Sequence, residues 1–218
     1  MKMIRLLTFI LSPLFGVAQN QIMQLDKQSI PNSIQYSGKV VNAVRWKDNL
    51  GDNIVITSET GIFQSKSGSG EFYQNAALYA YHYLLQADSF KLTWKVYDFI
   101  KACPVDIKAN FIRNTFAVTD LNKNGDCEVW LMYKTVCQGD VSPSDMKIVM
   151  YENDKKYVVR GTNRVEYAEK QYTGGEYKFD YAFTTGPEVF RQYAAKLWEK
   201  NIMEDWDQTS ASPSAAKH

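Results

Sequence analysis

Between Thr119 and Tyr133 the chain reads TDLNKNGDCEVWLMY, and oxygen-bearing side chains recur at alternate positions. Counting Asp120 as 1, Asn122 stands at 3, Asn124 at 5, Gly125 at 6, Asp126 at 7 and Glu128 at 9. Calcium is a hard cation that takes roughly six to eight oxygens, and a sharply turned loop can aim alternate residues at one point. The expected ligands are Asp120, Asn122, Asn124, Asp126 through its backbone carbonyl, and Glu128, with Gly125 permitting the turn. An EF-hand would add a bidentate Glu at position 12, where Leu131 stands, and the flanks here read as strands rather than helices. With two neutral ligands, affinity is expected at the weak extracellular end, about 10⁻⁴–10⁻³ M. Asn124–Gly125 between alternating apolar runs also specifies a hairpin with no ion at all.

Other chemistry is sparse. Of the two histidines, His218 ends the chain and His82 sits among tyrosines in YAYHYLL, where a packed strand residue is the plainer role. There is no Gly-x-Ser-x-Gly elbow, and SKSGSGE (65–71) lacks the Gly-Lys-Ser/Thr ending of a phosphate loop. Asp98, Asp106, Asp140 and Asp145 are the pool from which a glycosidase-type carboxylate pair could come, so a glycan-active hydrolase is the alternative to a non-enzymatic protein. Trp46, Trp94, Trp130 and the tyrosines could stack on sugar rings, although core packing is the simpler use of each.

The elements that must hold these residues are mainly strands. In FKLTWKVYDFI, Phe90, Leu92, Trp94 and Val96 alternate with Lys91, Thr93 and Lys95, the period of a half-buried strand. ALYAYHYLL pairs with it through the short turn QADS, and KVVNAVRW, NIVITSET, MKIVMY, KKYVVRG, RVEYAEK and YKFDYAF continue the meander. The period then changes. Val189, Phe190, Tyr193, Ala194, Leu197 and Trp198 form one apolar stripe behind Pro187 and Glu188, which predicts a single C-terminal helix. The expected class is therefore mainly β (α+β), with antiparallel sheets and one C-terminal helix.

Laying VVNAVRWKDNLGDNIVIT (40–57) over NTFAVTDLNKNGDCEVWL (114–131) matches Ala43 with Ala117, Val44 with Val118, Gly51 with Gly125, Asp52 with Asp126 and Val55 with Val129. Asp48 falls on Asn122, and Trp46 falls on Asp120. Two related strand–loop–strand units are expected, of which only the second carries a full oxygen set.

The first eighteen residues follow the plan of a secretory signal: Lys2 and Arg5, an apolar core from Leu6 to Phe15, then Gly16 and Ala18 before the expected cleavage. The expected organisation is a leader over 1–18, one β-rich domain over 19–206 and a disordered tail over 207–218. Loss of Lys2 and Arg5 takes the formal charge from +1 to −1, which gives no broad basic field for nucleic acid. No later segment reads as a transmembrane helix. The expected location is the periplasm or beyond, where three cysteines allow one disulfide. Cys103 and Cys137 sit at strand ends and are the favoured pair. Cys127 shares a strand face with Val129, Leu131 and Tyr133 and reads as a small buried hydrophobe, but its pairing is left open.

The loop resembles the aspartate-rich hairpin of FG-GAP and VCBS-type repeats, whose last acidic ligand lies at position 9. The order LTWKVYDFIKACPVDI, VTDLNKNGDCEVWLMYKTVCQGDVSPSDMKIVMY, KKYVVRGTNRV is similar, across residues 79 to 165, to an exported bacterial family labelled surface polysaccharide biosynthesis protein. That resemblance implies a cell-envelope role, with a surface glycan or an envelope protein as partner, and carries over no catalytic residues.

Overall fold

A computed structural model describes residues 21–204. The expected leader over 1–18 and the expected tail over 207–218 both lie outside those residues. Strands dominate, as the alternating patterns require. The first sheet contains β1 (Met23–Gln24), β2 (Lys39–Asp48), β3 (Gly51–Glu59), β4 (Phe63–Lys66), β5 (Phe72–Gln86) and β6 (Ser89–Cys103). Its order is β1-β2-β3-β5, with β4 continuing the β3 side of β5 and β6 on the opposite side. All these pairings are antiparallel.

The second sheet contains β7 (Ile107–Phe111), β8 (Ala117–Thr119), β9 (Glu128–Cys137), β10 (Asp145–Glu152), β11 (Lys155–Thr162) and β14 (Tyr177–Phe179). Its order is β14-β11-β10-β9, with β7 and β8 end to end along the remaining side of β9. Between β11 and β14 the chain forms a two-stranded ribbon of β12 (Arg164–Ala168) and β13 (Gln171–Gly174). Two helices follow, the single-turn α1 (Tyr181–Thr185) and α2 (Glu188–Lys200).

Alternation along each strand sends residues to two different cores. Trp46, Val55, Leu78, Trp94 and Val96 of the first sheet meet Val129, Leu131, Tyr133, Val149 and Val158 of the second, with Cys127 among them. The outer face of the first sheet (Ala43, Ile54, Ile56, Tyr81, Tyr83) is covered by Leu25, Ile30 and Ile34 from the segment before β2. The outer face of the second sheet (Trp130, Met132, Met146, Ile148, Tyr157) is covered by Phe183, Phe190, Ala194 and Trp198. The helical stripe expected from sequence is thus the face that packs, and each large apolar side chain buried there contributes about 1.5–3 kcal/mol. Among the described residues, no helix is long and apolar enough to cross a membrane.

Cys103 at the end of β6 is bonded to Cys137 at the end of β9, with the Cα atoms 5.8 Å apart, so the bridge ties one sheet to the other. Closing that loop stabilises the fold by about 3–4 kcal/mol on the chain-entropy account. Cys127 stays outside the bridge and is buried. One expectation needs correction. YKFDYAF is not a single strand: β14 ends at Phe179, and the Asp180 carboxylate then accepts from the Phe183 backbone N–H, capping α1. The N-cap bond satisfies a donor that a continued strand would have left unpaired.

Candidate metal centre

The loop from Asp120 to Glu128 joins β8 to β9, as two strands in antiparallel register require. Three side chains curl back over it. Asp120 Oδ2 accepts from the Gly125 N–H at 3.2 Å, Asn122 Oδ1 from the Asn124 N–H at 3.2 Å, and Asn124 Oδ1 from the Asp126 N–H at 2.8 Å. The bonds made by Asn122 and Asn124 are Asx turns, while that of Asp120 reaches across the loop. Gly125 has φ +86°, which favours glycine, and a Cβ there would displace the Asn49 side-chain amide from its place beside the turn.

Glu128 is fully buried. Its carboxylate accepts from the Thr119 hydroxyl at 2.6 Å and from the Leu121 N–H at 3.0 Å, while Trp130 Nε1 donates to the same Thr119 oxygen. Burial raises the Glu128 pKa against the lowering effect of those hydrogen bonds, and the carboxylate of Glu152 adds to the rise. Glu152 lies directly opposite Glu128 on β10 and accepts from the side-chain amides of Asn122, at 2.6 Å, and Asn124, at 2.9 Å. The turn after β10 supplies Asn153, whose Nδ2 donates to Asp126 Oδ2 at 3.0 Å.

Three oxygens in this cluster are buried without a hydrogen-bond donor: Asp120 Oδ1, Asp126 Oδ1 and Asn153 Oδ1. A buried acceptor without a partner costs about 1–3 kcal/mol, so three on one loop and its neighbouring turn form a deficit of donors that a cation would relieve. Among the described residues, no three acidic, histidine or cysteine side chains form a metal-holding group by themselves. Any cation here would therefore draw on amide and backbone oxygens as well as carboxylates, which is the donor set calcium accepts.

The five residues expected as ligands are thus on one loop, with Asn124 exposed, Glu128 committed to internal donors, and Asp120 and Asp126 each offering an unused oxygen. Sequence reading missed the parts that come from elsewhere. Glu152 ends β10 and Asn153 opens the turn after it, both far from the loop in sequence. The first hairpin also docks here: the Asn49 N–H donates to the Gly125 carbonyl at 3.0 Å, Asn49 Nδ2 to the Asn124 carbonyl at 2.9 Å, and the Cys127 N–H to Asp48 Oδ2 at 3.2 Å. The five identities between the two hairpins signalled that the loops are related, but not that they dock.

The remaining candidates serve the core. His82 stacks on Trp46 and Trp94, with its Nε2 against Asn53 Oδ1 at 3.0 Å and its Nδ1 against the Thr93 hydroxyl. Asn53 Nδ2 is spent on Asp48 Oδ1 and the Gly51 carbonyl, so its oxygen is the acceptor and His82 carries its proton on Nε2. Burial lowers the His82 pKa to about 4, against a smaller opposing effect of Asp48. Asp98 receives the Tyr133 hydroxyl at 3.1 Å and Lys147 Nζ at 2.6 Å. Asp106, Asp140 and Asp145 are exposed. Compared with protein-family models, curated proteins and solved structures, the chain matches none of them.

Proposed function

We propose that this chain is an exported component of the cell envelope, a binding or assembly protein linked to surface polysaccharide rather than an enzyme, in which calcium braces the β8–β9 loop. The observation that carries the calcium is the trio of donorless buried oxygens on Asp120, Asp126 and Asn153. The Cys103–Cys137 bridge supports an oxidising compartment, as do the leader-like residues at the start of the sequence. The polysaccharide link rests on the resemblance over residues 79 to 165. Asp120, Asn122, Asn124, Asp126 and Glu128 supply the loop's oxygens, and Asn153 adds one from outside it. A brace at this point joins β8 to β9, where the pairing spans only Ala117 to Thr119 on one side.

Thermal unfolding with calcium and with chelator tests the brace. For a dissociation constant of about 10⁻⁴–10⁻³ M, calcium at about 10 mM adds about 1–3 kcal/mol by mass action. In a domain of this size that raises Tm by about 3–10 °C. Asp120→Ala should abolish the response, and magnesium, which demands a tighter octahedral shell, should reproduce little of it. Identical midpoints for the wild type with and without calcium would remove the metal.

A further inference from the structure

The inner face of the second sheet carries a row of like charges. Lys147 on β10 stands directly opposite Arg160 on β11, and Arg160 stands directly opposite Lys178 on β14. Lys156 lies on the same face of β11, four residues from Arg160 with Val158 between them. Val149 and Val158 on this face pack between the sheets, whereas Lys156, Arg160 and Lys178 are exposed, so the first sheet stops short of them. The result is an open ledge beside β6 rather than a cavity.

Like charges directly opposite each other destabilise a sheet, and among the described residues no ion pair is formed by Arg160, Lys178 or Lys156. Asp98 answers Lys147 at 2.6 Å. Asp180 is near Lys156, but its carboxylate is already held by the Val158 and Phe183 N–H groups. The ledge therefore presents four cations against two carboxylates, both engaged. Burial and the neighbouring Arg160 and Lys147 charges lower the Lys156 pKa, consistent with cations crowded together.

We infer that this ledge binds an acidic polysaccharide, its carboxylates paired with Lys147, Arg160 and Lys178; the inference rests on the envelope reading above and gives that reading a surface. Adjacent strands are about 4.7–4.9 Å apart, so the three cations advance by about one sugar residue per strand. A small ligand would call for a concave pocket, whereas a linear polymer can lie across an open sheet. A disulfide-bonded fold belongs to an oxidising compartment, which favours a glycan over a nucleic acid. The ledge is separate from the calcium loop. Lys147 is five residues from Glu152, about 17 Å along β10, and the odd spacing puts them on opposite faces.

The test uses the disulfide-bonded mature chain and polygalacturonate, with neutral dextran and single-stranded DNA as comparisons. The wild type should bind polygalacturonate with an affinity that falls linearly on a logarithmic salt scale, and should ignore dextran. Arg160→Gln with Lys178→Gln should weaken binding about tenfold or more and reduce the salt slope by about two charges. Lys39→Gln, on the first sheet, should leave binding unchanged. Asp98→Asn, which releases Lys147 from its internal counter-ion, should tighten binding about two- to fivefold. Because Arg160 and Lys178 are exposed and their removal relieves repulsion, the double variant should melt at or above the wild type, so lost binding would not reflect lost folding. Wild-type affinity in that variant overturns the ledge but leaves the glycan reading standing. Equal or tighter binding of single-stranded DNA, or full competition by inorganic phosphate at constant ionic strength, overturns the acidic glycan as occupant. A wild type that retains neither polysaccharide would remove the glycan link as well.

Discussion

Asp48→Ala should be among the most damaging single changes at the loops, although Asp48 is a turn residue. Its Oδ2 accepts from Trp46 Nε1 at 2.8 Å and from the Cys127 N–H at 3.2 Å; its Oδ1 accepts from the Leu50 N–H at 3.0 Å and Asn53 Nδ2 at 2.8 Å. Alanine strands these donors unequally. The Leu50 N–H is near solvent, and Asn53 Nδ2 keeps the Gly51 carbonyl at 2.9 Å. Trp46 and Cys127 are both buried, so the Nε1–H and N–H that Asp48 accepted from are the donors most affected by its loss. Each buried donor left unpaired costs about 1–3 kcal/mol, so for the two the loss should be about 2–6 kcal/mol. The adjoining cavity, about 10 Å³ and lined by Trp46, Asp48, His82 and Cys127, has room for about one water, and removal of the carboxylate enlarges it, which favours the lower half of that range. Asp48→Asn keeps one oxygen but turns an NH₂ toward the other pair of donors, so about half the loss should remain. Urea unfolding followed by tryptophan fluorescence measures both variants, and hydrogen exchange at Cys127 should accelerate in the alanine variant. A stability within about 0.5 kcal/mol of the wild type for Asp48→Ala would refute the argument, since the effect rests on named bonds and not on packing.

Two further perturbations address the core. Cys103→Ser with Cys137→Ser should lose about 3–4 kcal/mol in chemical denaturation, and reduced wild type should behave the same way; a peptide map showing Cys127 in the cross-link would contradict the pairing. The pKa of buried His82 falls from 6.5 to about 4 on folding, so the unfolded chain takes up a proton first as pH drops. Its contribution is intact above pH 6.5 and is lost progressively down to about pH 4, reaching at most about 3 kcal/mol. Glu59 and Glu128, whose pKa values burial raises, act in the opposite direction, so the comparison must be with a His82→Gln variant. That variant should show the shallower fall in stability between those pH values, and parallel curves would sink the assignment.

The regular elements were legible because their burial is periodic. Trp94 and Val96 face the inter-sheet core while Lys95 and Tyr97 face out, but a register shift opposite His82 and Tyr83 turns Phe90 toward the other core and leaves Leu92 exposed, so the face expected for these four holds only in its second half. The helix from Glu188 to Lys200 buries the stripe its spacing defined. The cover over the first sheet was not legible. Leu25, Ile30 and Ile34 follow neither the strand nor the helix period, and a packed irregular segment leaves no such signature. Asp180 shows a related limit: three residues of alternation before it looked like the start of a longer strand, and only its bond to the Phe183 N–H reveals a cap. At the candidate centre, the spacing gave the loop's own oxygens. The contributions of Glu152, Asn153, Asp48 and Asn49 depend on which turns meet at that end of the molecule, and that is a property of sheet order.

The docking of the two related hairpins bears on why only one of them should need an ion. In the first, the tight turn from Asp48 to Gly51 brings several donors to one place, and a single carboxylate satisfies them. In the second, the longer loop brings together acceptors, and two of them, with Asn153 Oδ1 from the neighbouring turn, find no donor. The chemistry is inverted: where the first hairpin supplies Trp46 with its Nε1–H, the second supplies Asp120. A cation at the first loop would compete with donors already bound to Asp48, whereas at the second it would complete bonds that the protein leaves open. Because Asp48 also accepts from the Cys127 N–H, the first loop stiffens the chain between Asp126 and Glu128. Asp48→Ala should therefore reduce the calcium-induced rise in Tm as well as the stability itself. A full calcium response in that variant would show that the loops touch without being coupled.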